Sequence, residues 1–165
     1  MAIALRPHSL YIVLLHVGTD ARWALLNTAA NPERDVWLHR NGTEDANCKQ
    51  LPPFLNTYSS SRLDLASPES ICHHIYGFYR LATLVAITPD VVQGACTGAL
   101  PSGARDAESG MEFVRRALQR IPVDLCVDLD AAIRGATRMG KAKWEQFVRM
   151  EARDVGGFEP EVRDV

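Results

Sequence analysis

Three consecutive pieces decide the fold: SLYIVLLHV (Ser9–Val17), the turn residues Gly18-Thr19-Asp20, and RWALLNT (Arg22–Thr28). Both runs are rich in β-branched, aromatic and leucine side chains, and the intervening Gly-Thr-Asp suits a chain reversal, so together they predict a β-hairpin. Alternation along the second run puts Arg22, Ala24 and Leu26 on one face and Trp23, Leu25 and Asn27 on the other. RDVWLH (Arg34–His39) predicts a third short strand, ended by the turn signal Asn41-Gly42. The apolar run Leu10–Val17 has Arg6 before it and Ala21 after it, as a signal peptide would, but its composition fits a hairpin strand better. It is also far short of the roughly 20 residues a membrane span needs.

Further along, the polar stretch from Glu44 to Ser61 contains Pro52-Pro53 and predicts a long loop, a kind of segment that often carries function in compact domains. Leu63–Ala66 reads as a short strand and Tyr79–Ile87 (YRLATLVAI) as a central one. Between them, Ser67-Pro68-Glu69 places a cap and a first-turn proline ahead of Ile71, Cys72 and Ile75, which predicts a helix. Thr88-Pro89-Asp90 opens another, carrying Val91, Val92 and Ala95. Ser109-Gly110-Met111-Glu112 has the spacing of a capping box, with Val114, Ala117, Leu118 and Ile121 on one face behind it. Leu125, Leu129, Ala132, Ile133 and Ala136 predict a helix broken near Gly140, and Trp144, Phe147 and Val148 a last one. The reading is an α+β domain over residues 1–155, with an antiparallel sheet of about five strands packed against several helices. Residues 156–165 read as a polar C-terminal tail.

Composition limits the partners. In 165 residues, 18 basic side chains meet 20 acidic ones for a formal charge of −2, which argues against nucleic acid, whose phosphates need a concentrated positive field. The cluster Arg115, Arg116, Arg120 reads as the wet side of a helix. The cysteines Cys48, Cys72, Cys96 and Cys126 form no CxxC, so they read as reduced thiols in a cytoplasmic protein. Cys72-His73-His74 looks like a metal site, but neighbours on a helix point about 100° apart and cannot converge unaided. No metal or cofactor is expected. No Gly-x-Ser-x-Gly elbow, P-loop or Gly-x-Gly-x-x-Gly occurs.

The order of strand, turn, R-W-A-L-L strand, long loop, strand and capped helix resembles a fungal domain family over residues 9 to 121. That family carries a histidine-tryptophan-alanine-leucine-leucine strand and an asparagine-cysteine pair opening a helix, with a tryptophan three residues on. The arrangement is similar to a permuted papain-like scaffold with a histidine–cysteine dyad. Carried over, the histidine falls on Arg22, the asparagine-cysteine pair on Ser109-Gly110 and the helix tryptophan on Phe113. Glycine has no nucleophile and arginine is no base near neutral pH, so the resemblance implies a scaffold whose dyad is gone.

On that scaffold the Arg22 side of the strand is expected to look toward the Gly110 helix start, with Trp37 and His39 on a shared face of the neighbouring strand. Arg22 and His39 are the candidate catalytic residues, and Trp37, Gly110, Met111 and Phe113 the candidate substrate-binding ones. A guanidinium beside a helix N-terminus suits an apolar acid or enone. The leading expectation is a small enzyme that orients an apolar molecule without a covalent nucleophile, such as a cyclase or isomerase of specialised metabolism. A non-catalytic small-molecule binding or interaction module is the alternative. A cysteine hydrolase with an unrecognised dyad, such as Cys72 with His39, is a third reading. Substrate and oligomeric state are not readable.

Overall fold

A computed structural model describes residues 3–17, 20–41, 58–63, 65, 75–83, 88–99, 109–121, 128–151 and 160–164. Strands β1 (Ser9–Val17), β2 (Asp20–Thr28), β3 (Val36–Asn41), β4 (Tyr58–Leu63) and β5 (Ile75–Thr83) come first. Helices α1 (Pro89–Thr97), α2 (Ser109–Arg120) and α3 (Leu129–Glu151) follow, and β6 (Glu161–Asp164) comes last. The fold is α+β, with one six-stranded sheet in the order β4-β3-β2-β1-β5-β6. All neighbours are antiparallel except β5 and β6, which run parallel.

The sheet has one strand more than the sequence indicates, because β6 lies in the stretch read as a polar tail. Pairing uses backbone groups, so an exposed edge strand needs no apolar alternation. Here the side chains add a two-pronged contact, with Arg80 Nε and Nη2 donating to the two carboxylate oxygens of Asp164 at 2.6 and 2.9 Å. The strand expected at Leu63–Ala66 lies earlier, at Tyr58–Leu63, where the long loop was expected to continue. Ile75, assigned to a helix by its spacing, starts β5 instead. The rest of that expected helix, including Cys72, His73 and His74, lies outside the described residues, as do residues 84–87 of the expected central strand.

β1 is buried on both faces, which is why its sequence is an almost unbroken apolar run. Leu10, Ile12 and Leu14 join Leu25, Tyr79 and Leu81 beneath the helices. There they meet Val92 and Cys96 of α1, Phe113, Val114 and Leu118 of α2, and Ile133 and Ala136 of α3. Tyr11, Val13 and Leu15 point the other way, into a second core with Ala24, Leu26, Val36, Leu38, Leu63, Ile75 and Phe78, on which Leu5 packs. The N-terminal segment is tied to the end of β2 by Thr28, whose Oγ1 donates to the Arg6 carbonyl at 2.6 Å and accepts from the Ser9 amide at 2.9 Å. A bulge between β1 and β5 turns Tyr76 toward α3, where its ring meets Phe147 at 4.5 Å and Trp144 at 6.4 Å.

α3 is continuous through Gly140, contrary to the break expected there. The glycine answers a packing demand. A Cβ at position 140 would lie 2.3 Å from Cη2 of Trp23, so the helix passes over the indole only without a side chain. Gly110, at the start of α2, plays a similar part against the same residue, where a Cβ would sit 3.2 Å from the Trp23 carbonyl oxygen.

Candidate functional site

The apolar strands carry three polar side chains on the helix-facing side, and these meet. Asn27 ends the run of β2, and strand parity keeps it on the face of Leu25. His39 pairs in register with Leu25 and Trp37 with Asn27, so both project on that side. Tyr58 opposes Asn41 across β3–β4, and Tyr58, Ser60 and Arg62 alternate onto the same face.

His39 is the centre, only 1% exposed. Its Nε2 lies 2.6 Å from Asn27 Oδ1 and its Nδ1 2.7 Å from the Tyr58 hydroxyl. An amide oxygen can only accept, so Nε2 carries the ring proton, Nδ1 accepts, and Tyr58 donates. Burial pushes the His39 pKa down to about 4, because the charged imidazolium loses its hydration. Burial likewise pushes the Tyr58 phenol up to about 12, opposed by a hydrogen bond from the Ser60 side chain. The chain from Ser60 through Tyr58 and His39 to Asn27 is neutral at physiological pH and satisfied at each link.

Apolar walls flank it. The Tyr58 ring stacks on His39 at 6.0 Å between centroids and meets Phe113 of α2 at 6.5 Å. Trp37 is half-buried on the same face. Beyond it Arg62 pairs with Asp35 and donates from Nε to the Arg34 carbonyl at 3.1 Å. Cys96 of α1 is close enough to Tyr58 to act on its ionisation, and burial pushes the Cys96 thiol itself up to about 12. Such a thiol stays protonated, the opposite of an activated nucleophile. Among the described residues no group of three or more His, Cys, Asp or Glu side chains is placed to hold a metal ion.

Of the six candidate residues, the structure gathers His39, Trp37 and Phe113 around the relay. Met111 is half-buried against the helix-side core, and Gly110 is buried at the start of α2. Arg22 does not join them. It pairs with Leu15, which faces the second core, whereas Gly110 touches Trp23, one residue on. The expected meeting of guanidinium and helix start is therefore absent, because the sheet lies between them. The physical reason is parity: the α2 start packs on the odd-numbered residue of the pair.

Asn27, Tyr58, Ser60 and Cys96 were not singled out by the sequence. Asn27 left a signal, being a polar residue at a position of β2 where alternation demands burial. Tyr58 left none, since it sits in a polar stretch whose pairing is set by β3. Comparison with protein-family models, with curated proteins and with solved structures finds no match to this chain.

Proposed function

We propose that this chain is a small cytoplasmic enzyme that acts on an apolar small molecule without a cofactor or covalent nucleophile, as a shape-enforcing cyclase or isomerase does. The observation that carries the reading is the buried Asn27–His39–Tyr58 relay, which ends at a half-buried hydroxyl beside Phe113. A neutral, pre-oriented polar chain in an apolar wall fits a site that orients its ligand and moves a proton over a short distance. The protonated Cys96 thiol and the side-chain-free Gly110 support chemistry without a covalent intermediate. The likeness to a papain-like scaffold that has lost its dyad belongs to the same proposal.

A second reading, a non-catalytic binding module, is favoured by the low basicity of His39, which makes it a weak proton acceptor near pH 7. Both are tested by incubating the protein with a panel of apolar small molecules, following thermal stabilisation and product formation by mass spectrometry. Product that disappears in Tyr58→Phe supports the enzyme. Stabilisation without product supports the binding module. If neither appears, or if Tyr58→Phe performs as the parent does, the relay is structural only.

A further inference from the structure

The relay has a direction, and its direction selects a ligand. Asn27 Oδ1 offers only lone pairs, so it fixes the proton of His39 on Nε2. His39 Nδ1 is then a lone pair as well, and it takes the single proton of the Tyr58 hydroxyl at 2.7 Å. The Tyr58 oxygen has no second proton to offer. Ser60, two residues along β4 on the same face, bonds to that oxygen and must donate, since the Tyr58 proton is already committed. Every remaining hydrogen-bonding capacity at the outer end of the chain is an acceptor.

The geometry points to an apolar alcohol or phenol as the ligand, docking its O–H on the acceptor side of Tyr58 and Ser60 with its body against Phe113 and Trp37. The inference rests on the reading of this relay as the functional site and narrows it. It also reverses the ligand chemistry expected from Arg22 and Gly110. A carbonyl or carboxylate oxygen brought to Tyr58 sets lone pair against lone pair, with no guanidinium on this face of the sheet at position 22 to compensate.

A matched series of 2-naphthol, 2-methoxynaphthalene and 2-acetylnaphthalene tests it by titration calorimetry at pH 7. The three share an apolar body, and only the first has a proton to donate. The expected result is binding of 2-naphthol about tenfold tighter than either analogue. In Tyr58→Phe, which keeps the ring and removes the acceptor, that preference should vanish while weak binding of all three remains. A preference for 2-acetylnaphthalene, equal binding of all three, or a preference that survives Tyr58→Phe overturns the inference and leaves the apolar-ligand reading standing. If none of the three binds, both fall. The series on the unmutated protein decides the question even where Tyr58→Phe fails to fold.

Discussion

The indole of Trp23 lies where the side chain of residue 140 would otherwise be. A Cβ on Gly140 would come within 2.3 Å of Cη2 and 2.9 Å of Cζ2, and a ring held beneath two helices cannot swing aside as a flexible chain end would. The ring also leans on Tyr79 at 6.3 Å. Sheet and α3 are thus keyed together at one point.

Gly140→Ala should therefore destabilise the protein, although alanine is the better helix former by about 1 kcal/mol. Overpacking of this kind costs about 1–3 kcal/mol, more than the propensity gain. Trp23→Ala should cost about 3 kcal/mol. Combining Gly140→Ala with Trp23→Phe should recover part of the loss, so that the two changes are not additive. Urea denaturation of the four proteins measures this, and a Gly140→Ala variant as stable as its parent would show that the contact is looser than described.

The lowered pKa of His39 makes stability depend on pH. The ordinary value is 6.5 and the folded value about 4. Between them the unfolded chain binds a proton that the folded chain refuses, so stability rises with pH across that window and is lost as pH falls toward 4. The slope is at most about 1.4 kcal/mol per pH unit, a loss of roughly 3 kcal/mol in all. His39→Gln should melt with a flatter dependence between pH 6.5 and 4. Identical slopes in parent and variant count against a buried neutral imidazole.

Cys96 should be inert in the folded state. Its thiol moves from 9.0 to about 12 by burial, so at pH 8 almost no thiolate forms. Iodoacetamide, followed by peptide mass mapping, should label Cys96 only after denaturant is added. Cys96→Ala should lower stability by about 1 kcal/mol and leave any turnover within a few-fold. Rapid native labelling at this residue, or loss of turnover in a folded Cys96→Ala variant, would bring a thiol mechanism back.

Tyr58→Phe removes one oxygen and strands the Nδ1 lone pair of His39 in a buried setting. The expected cost is about 1–3 kcal/mol, the penalty of an unsatisfied buried acceptor. Because the phenol ring and its contact with Phe113 survive, the near-ultraviolet circular dichroism should change little. A variant of unchanged stability would mean that His39 finds another donor.

How much of this was legible beforehand varies with the physics involved. The hairpin was plain because burying β1 on both faces forces a continuous apolar run, and the alternation of Trp23 against Arg22 follows from backbone geometry alone. Which of those two meets α2 did not follow, since parity fixes the relative faces and the helices choose between them. Gly140 misled for a related reason: a glycine that breaks a helix and one that admits an indole look alike until the ring is seen. His39, Trp37 and Phe113 were found from residue type and face. Their partner Tyr58 depends on the β3–β4 register, which the polar sequence YSSSRL does not advertise.

The parallel pairing of β6 with β5 sets an order on the events of folding. Arg80 and Asp164 are 84 positions apart, and all three helices lie between them. Five of the six strands and the helix layer can assemble before this closure, whereas β6 has no partner until β5 is in place. Until then Phe78, later covered by the Val162 register pair, belongs to a strand with an open hydrogen-bonding edge. Such an edge is a template for any extended chain nearby, so the last strand to dock also ends the period in which this sheet is most exposed to wrong partners.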